Sequence, residues 1–373
     1  MADVLKQIYA ELGEDGIKKA RWQERMRAAG FLLQLLFLLV YVTLWLVAGW
    51  AEATARWSGE NPWLLALLFL AGEAVFTLPL SYLSRWVELR LGTNRQSFGG
   101  WVLDWLKNSA LNVVLMSLLF GTAFALYQRW PGGAFLGALA VSAAFALVLF
   151  ALQPLVLRMN YKTEPLEDPE LRAKITAVFE KAGVPLKGLF LVRAGEKTSR
   201  GNAAVIPKAG GYEVVFYDNL LEALDPDALA FVVAHELGHV KHRDIYRSLV
   251  AFSVLLFLAL LSGQAAVQLL APGVGLEPTS VAALPLFYLG VMLAFMVGSI
   301  FMNAYSRARE YAADRFAFEL TGDLAAFERS FTVLAKQNYA DPDPPAWVEF
   351  LLHSHPSIKH RWEAGRRYFM TES

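Results

Sequence analysis

Six long apolar runs constrain this chain more than any other feature. They fall at about 31–50, 63–84, 109–128, 133–157, 247–270 and 281–305, each near the roughly 20 residues a helix needs to cross a bilayer core. Inside lipid no water pairs with backbone N–H and C=O groups, so such runs must bond internally as helices. Buried helices of a soluble protein cannot account for six of them in 373 residues that are 56% hydrophobic and 18% charged. The expected fold class is an α-helical polytopic membrane protein. A small polar α/β segment between the fourth and fifth runs belongs to it.

Basic residues give the orientation. With the amino terminus inside, the outer connections are 51–62, 129–132 and 271–280, and they carry only Arg56 and Arg129. Nearly all other Lys and Arg then lie on the cytoplasmic side. Residues 1–30 read as a charged amphipathic helix and are expected to be a solvated positive flank, in preference to a partner-binding or membrane-surface helix. They lack the pattern of a cleavable signal peptide. A formal net charge of zero gives no reason to expect a nucleic-acid partner. The absence of cysteine removes thiolate metal ligands and cysteine nucleophiles. Glu73 lies inside the second run, where a carboxylate faces a bundle interior or a wet cavity.

The segment 158–246 carries the chemistry. Asp168 to Ala182 reads as a helix closed by Gly183. Gly188–Val192, Asn202–Ile206 and Tyr212–Phe216 read as strands, the second stopped by Pro207. Asp225-Pro226 then opens a helix containing HELGH. His235 and His239 are four residues apart, hence on one helical face, and both imidazoles can reach one metal ion. Glu236 would stand beside that ion. This is the helical zinc-protease pattern, two His ligands and a Glu as general base on a metal-activated water. Lys241 to Asp244 follow at once, so the site is expected where the chain leaves apolar surroundings for water.

After the sixth run the helix continues through 306–320 without a breaker. Glu310 lies about five residues, or roughly 8 Å, beyond the membrane edge. His239 precedes the fifth run by a similar distance, and two spans return the chain to the same side. Glu310 is thus geometrically reasonable as a third ligand, although spacing alone does not separate it from a solvated acid. The final segment, 306–373, also holds His353, His355 and His360.

Taken together, these segments resemble the type I CAAX prenyl protease family of integral-membrane zinc endopeptidases. The resemblance runs from about residue 63 to 367. It is carried by LPLSYLSRWVELRLGTNRQSFGGWVLDWLKN at 78–108, by LQPLVLRMNYKTEPLEDPELRAKI, and by RGNAAVI, HELGH, SRAREYAAD and SHPSIKHR. It implies one Zn²⁺ per chain, with Glu310 as third ligand to His235 and His239. Asp314 would orient a zinc histidine. His355 and Arg361 would come to the site as transition-state or substrate-carboxylate contacts. Asn202 and Ala203 would meet the substrate. Ala204 stands where the family often has an aromatic residue, and Ser354 and Ser357 replace a Thr and a Pro. Family members have seven spans against six here, the first being replaced by residues 1–30.

The expected architecture is a charged segment 1–30, four spans over 31–157 with a cytoplasmic loop at 85–108, the protease segment 158–246, two spans over 247–305, and the cytoplasmic segment 306–373. The expected activity is peptide-bond hydrolysis at the cytoplasmic face, on a peptide or protein substrate for which the resemblance implies a prenylated C-terminus. A heat-shock-type membrane quality-control zinc protease shares HExxH but not the 78–108 motif. A site-2-type protease would carry HExxH inside lipid. A scaffold or transporter with structural zinc would need four protein ligands, and no fourth is evident. The segment Asn202–Ile206 is the expected edge strand for an extended substrate, because a proline end suits a sheet edge.

Overall fold

The computed structural model describes residues 2–372. Helix α1 spans Ala2–Val47 with a kink at Gly13, followed by α2 (Trp50–Trp57), α3 (Pro62–Phe76), α4 (Leu78–Leu91), α5 (Phe98–Arg129) and α6 (Ala134–Asn160). Strand β1 (Thr163–Pro165), α7 (Pro169–Ala182), β2 (Leu186–Val192), β3 (Ala203–Lys208), β4 (Gly211–Tyr217), α8 (Asp218–Ala223) and α9 (Pro226–Lys241) make the intervening segment. Then come α10 (Asp244–Leu270), α11 (Leu284–Thr321), α12 (Leu324–Asn338), α13 (Ala346–Leu352) and α14 (Ile358–Glu372). Among the described residues six helical stretches are long and apolar enough to cross a membrane, as the sequence leads one to expect.

Two cores organise the chain. One lies within the bundle, where Phe69 of α3, Phe124 of α5 and Phe287 of α11 are fully buried together. The other binds α7, α9, α12, α14 and one face of the sheet around Phe179, Phe231 and Phe327. Glu73 accepts a hydrogen bond from the Tyr288 hydroxyl, so this intramembrane carboxylate does face the bundle interior. At one end of α5, Arg95 N–H donates to the Lys197 carbonyl beside the sheet. At its other end, Gln128 Nε2 donates to the Thr279 carbonyl, which brings two of the outer connections together.

The sheet order is β1-β2-β4-β3, with β2 parallel to β4 and the outer pairs antiparallel. Strand β3 is therefore an edge, as expected, but Pro207 lies within it rather than stopping it. The Asn202 carbonyl accepts from Tyr217 N–H. Antiparallel alternation then turns the backbone groups of Ala203, Val205 and Pro207 away from β4, so the missing N–H of Pro207 costs the ladder nothing. Strand β1 escapes the sequence because it is short and fully exposed.

Two expectations need correction. Residues 1–30 are no solvated flank. Beyond the kink at Gly13 they run on as helix into the first span, and Ile8, Ala20, Gln23 and Glu24 are buried. Ile8 joins the second core, and Gln23 Nε2 donates to the Asn338 carbonyl. Apart from Ile8 these buried residues are small or polar and sit among many charges, so they leave little hydrophobic signal. The second correction concerns the loop at 85–108, which is helical except at 92–97. Charges at Arg85, Glu88, Arg90, Asp104 and Lys107 end the apolar signal but not the helices. The helix ends are set by Gly92 in the left-handed region and by Ser97, whose Oγ accepts from Gly100 N–H.

Candidate metal centre

Helix α9 starts as its sequence dictates. Asp225 caps it by accepting from the Asp227 and Ala228 N–H groups, and Pro226 occupies the first turn. The helix crosses α11 at Gly238. A Cβ there would lie 2.8 Å from the Ala313 Cα, so only glycine allows this approach. The crossing sits between His235 and His239 in sequence and brings Glu310, one turn before Asp314, against both imidazoles.

His235 Nε2 lies 3.4 Å from Glu310 Oε2, and His239 Nε2 lies 3.5 Å from Glu310 Oε1. One donor atom from each of the three residues falls within 4.8 Å of the others. The opposite nitrogens are fixed. His235 Nδ1 is 2.9 Å from Asp314 Oδ1, and His239 Nδ1 is 2.9 Å from Asp244 Oδ2. A carboxylate at Nδ1 holds the proton there and leaves the Nε2 lone pair for a metal. Arg361 Nε donates to Asp314 at 2.8 Å, and Arg309 Nε donates to Asp244 at 2.6 Å. Glu310 Oε2 is buried and accepts no hydrogen bond, although Arg361 Nη1 lies 3.1 Å away. A carboxylate with one orphaned oxygen, set against two lone-pair nitrogens, fits a divalent cation bound by nitrogen and oxygen.

Burial opposes a charge on His235, but hydrogen bonds to Asp314 and Glu310 outweigh it and hold its pKa up at about 9. Proton and metal therefore compete for this imidazole. Burial pushes the Glu236 carboxyl upward, against the pull of both histidines, toward the range of a working base.

The centre opens into a cavity of about 730 Å³. Asn202, Ala203, Glu236, His355 and Arg361 all line it, so every residue singled out from the sequence reaches the site except Asp314, which stands behind His235. His355 is exposed, with Nε2 3.4 Å from Glu310 Oε1. Arg361 is buried and committed to Asp314 and Glu310. Sequence reasoning misses Asp244 and Arg309. Asp244 lies beyond the end of α9, and Arg243 reaches it through a left-handed backbone (φ 56°) that no spacing rule anticipates. It misses Glu24 too. Glu24 comes to the cavity from α1, where His353 Nε2 lies 2.8 Å from its carboxylate and Arg27 pairs with it.

Six spans and a His–His–Glu centre with a glutamate beside it define the class, a polytopic membrane metalloendopeptidase. The chain belongs to peptidase family M48, which matches residues 165–368. Residues 3–158 match a second family, described as CAAX prenyl protease N-terminal, five membrane helices. Within that stretch the described residues hold four long apolar helices rather than five. The chain is 29% identical over 295 residues to the uncharacterized metalloprotease YhfN of Bacillus subtilis, covering 76% of this chain and 68% of that one. It is 29% identical over 343 residues to a CAAX prenyl protease 1 homolog of Oryza sativa, covering 88% and 80%. The crystal structure of S. mikatae Ste24p shares the fold with a TM-score of 0.75 at 20% identity, over 95% of this chain and 89% of that one.

Proposed function

We propose that His235, His239 and Glu310 hold one Zn²⁺ at the cytoplasmic face and that the chain hydrolyses peptide bonds near prenylated C-termini. The observation that carries the metal reading is the pair of Nδ1–carboxylate contacts, which turn both Nε2 atoms toward one buried carboxylate. Zinc bound there would supply Lewis-acid activation of water and of the scissile carbonyl. Glu236 takes the water's proton on its carboxylate and returns it to the leaving amine. Asp314 and Asp244 keep the imidazoles oriented. His355, exposed at the rim, donates to the developing oxyanion. The outward backbone groups of Ala203 hold the substrate as an added strand, and the Asn202 amide bonds its backbone. The similarity to CAAX prenyl protease 1 homologs supports a prenylated substrate.

The test uses a prenylated peptide and its unprenylated twin, each with and without chelator. Cleavage of the prenylated peptide should stop with chelator and return with added Zn²⁺. Its twin should be cleaved about ten-fold or more slowly, because the lipid chain adds buried apolar area. Equal rates would remove the prenyl requirement and leave the metallopeptidase.

The cytoplasmic assignment rests on the scarcity of basic residues in the outer connections. Single cysteines at Ser199 and Thr279 should label from opposite sides of intact cells. Labelling from one side would refute it.

A further inference from the structure

His355 stands at the rim of the catalytic cavity, and few groups hold its side chain. Nδ1 faces Ser354 Oγ at 3.0 Å, Nε2 faces Glu310, and 63% of the side chain is exposed. An imidazole this open owes its direction to the backbone that carries it. On the C-terminal side that backbone is anchored, because Pro356, Ser357 and Ile358 are buried and Ser357 N–H donates to Glu349. On the N-terminal side stand Leu352 and His353, both only half-buried. Anchoring there falls to the polar contacts of His353.

Two helices supply those contacts. Arg307 Nη1 of α11 donates to the His353 carbonyl at 2.6 Å. His353 Nε2 lies 2.8 Å from Glu24 Oε2 of α1 and donates to it, since an ionised carboxylate only accepts. The other Glu24 oxygen accepts from Arg27 Nη1 at 3.1 Å. Glu24 borders the catalytic cavity, yet it is only 3% exposed and both its oxygens are engaged. A carboxylate buried this far is tolerable because each oxygen has a donor.

Glu24 also ties this loop to the membrane. It precedes the apolar run at residue 31 by about seven residues, or roughly 10 Å at helical rise. The kink at Gly13 lies on its far side, so α1 is regular helix from Glu24 into the first span. The position of the carboxylate is therefore set by a span and not by a flexible connection. Asn303 and Arg307 meet the same loop from α11, the helix that carries Glu310. His353 is clamped between the first span and the helix of the third metal donor.

We infer that Glu24 is a positioning residue for hydrolysis: through His353 it sets the loop that aims His355 at the developing oxyanion. The inference rests on the proposed role of His355. It adds that the cytoplasmic end of the first span belongs to the catalytic apparatus. Glu24 acts through His353 and not by binding the substrate.

The experiment measures kcat, KM and metal content on the prenylated peptide, in single variants and in pairs. His355→Ala should lower kcat about a hundred-fold, the scale of a lost oxyanion donor. Glu24→Ala should keep metal and KM while kcat falls about ten-fold, because the donor is misplaced and not removed. Glu24→Gln should recover most of that loss, since an amide oxygen still accepts from His353. In the His355→Ala background Glu24→Ala should cost nothing further, as the group it positions is gone. His353→Ala, at a half-buried side chain, should reproduce the ten-fold fall and the same loss of effect, and it serves if Glu24→Ala folds poorly. An unchanged kcat in these variants, or effects fully additive with His355→Ala, overturns the inference while the peptidase reading stands. If His355→Ala alone leaves kcat unchanged, or the parent shows no chelator-sensitive cleavage, the underlying reading fails and the inference falls with it.

Discussion

Glu236→Gln is expected to keep its metal and lose turnover by about a thousand-fold or more, the scale of a general base removed from a hydrolytic step. The substitution keeps shape and hydrogen bonding but cannot accept a proton. Glu236 is not among the three clustered donors, so metal content should not change. Glu310→Ala should do the reverse. It deletes the carboxylate whose two oxygens each face one Nε2 atom and should empty the centre, with activity lost as a consequence. Metal analysis and single-turnover rates on each purified variant separate the two roles. Retained turnover in metal-loaded Glu236→Gln would sink the assignment of the base.

What could be read from the sequence divides along physical lines. Spans, HELGH and the capped start of α9 follow from local rules of period, spacing and capping, and these hold in the structure. Glu310 needed more, because its partners are about 70 residues away in sequence and only the α9–α11 crossing at Gly238 unites them. Asp244 was invisible for a different reason. It acts across a backbone turn at Arg243, and an acid opening a helix ordinarily reads as favourable to the helix dipole. Residues 1–30 mislead because charge dominates their composition while the buried positions, Ile8, Gly16, Ala20, Gln23 and Glu24, include a single large apolar side chain. Glu24 therefore looked solvated, yet it is among the most buried acids in the chain.

Arg361 is where resemblance and geometry part, and its removal should show which is right. The resemblance suggests a contact to the transition state or to a substrate carboxylate. In the structure its guanidinium is buried, bonded to both oxygens of Asp314, 3.1 Å from Glu310, and set 4.4 Å from the Phe331 ring centroid. These contacts leave Arg361 as the clamp that makes two buried carboxylates tolerable. Arg361→Met should then cost about 3–5 kcal/mol of stability, because it strands charges already taken out of water. Metal affinity should drop about 10–100-fold, since Asp314 no longer holds His235 firmly. The stability loss should be greater in chelated protein than in metal-loaded protein, because a bound cation replaces part of the charge facing Glu310. Arg361→Lys should rescue little, as an ammonium cannot serve both oxygens of Asp314 and reach Glu310 together. Thermal unfolding of both forms, with metal titration, provides the measurement. A variant that melts and binds metal like the parent while losing only kcat would reverse the assignment and make Arg361 a direct partner of the substrate.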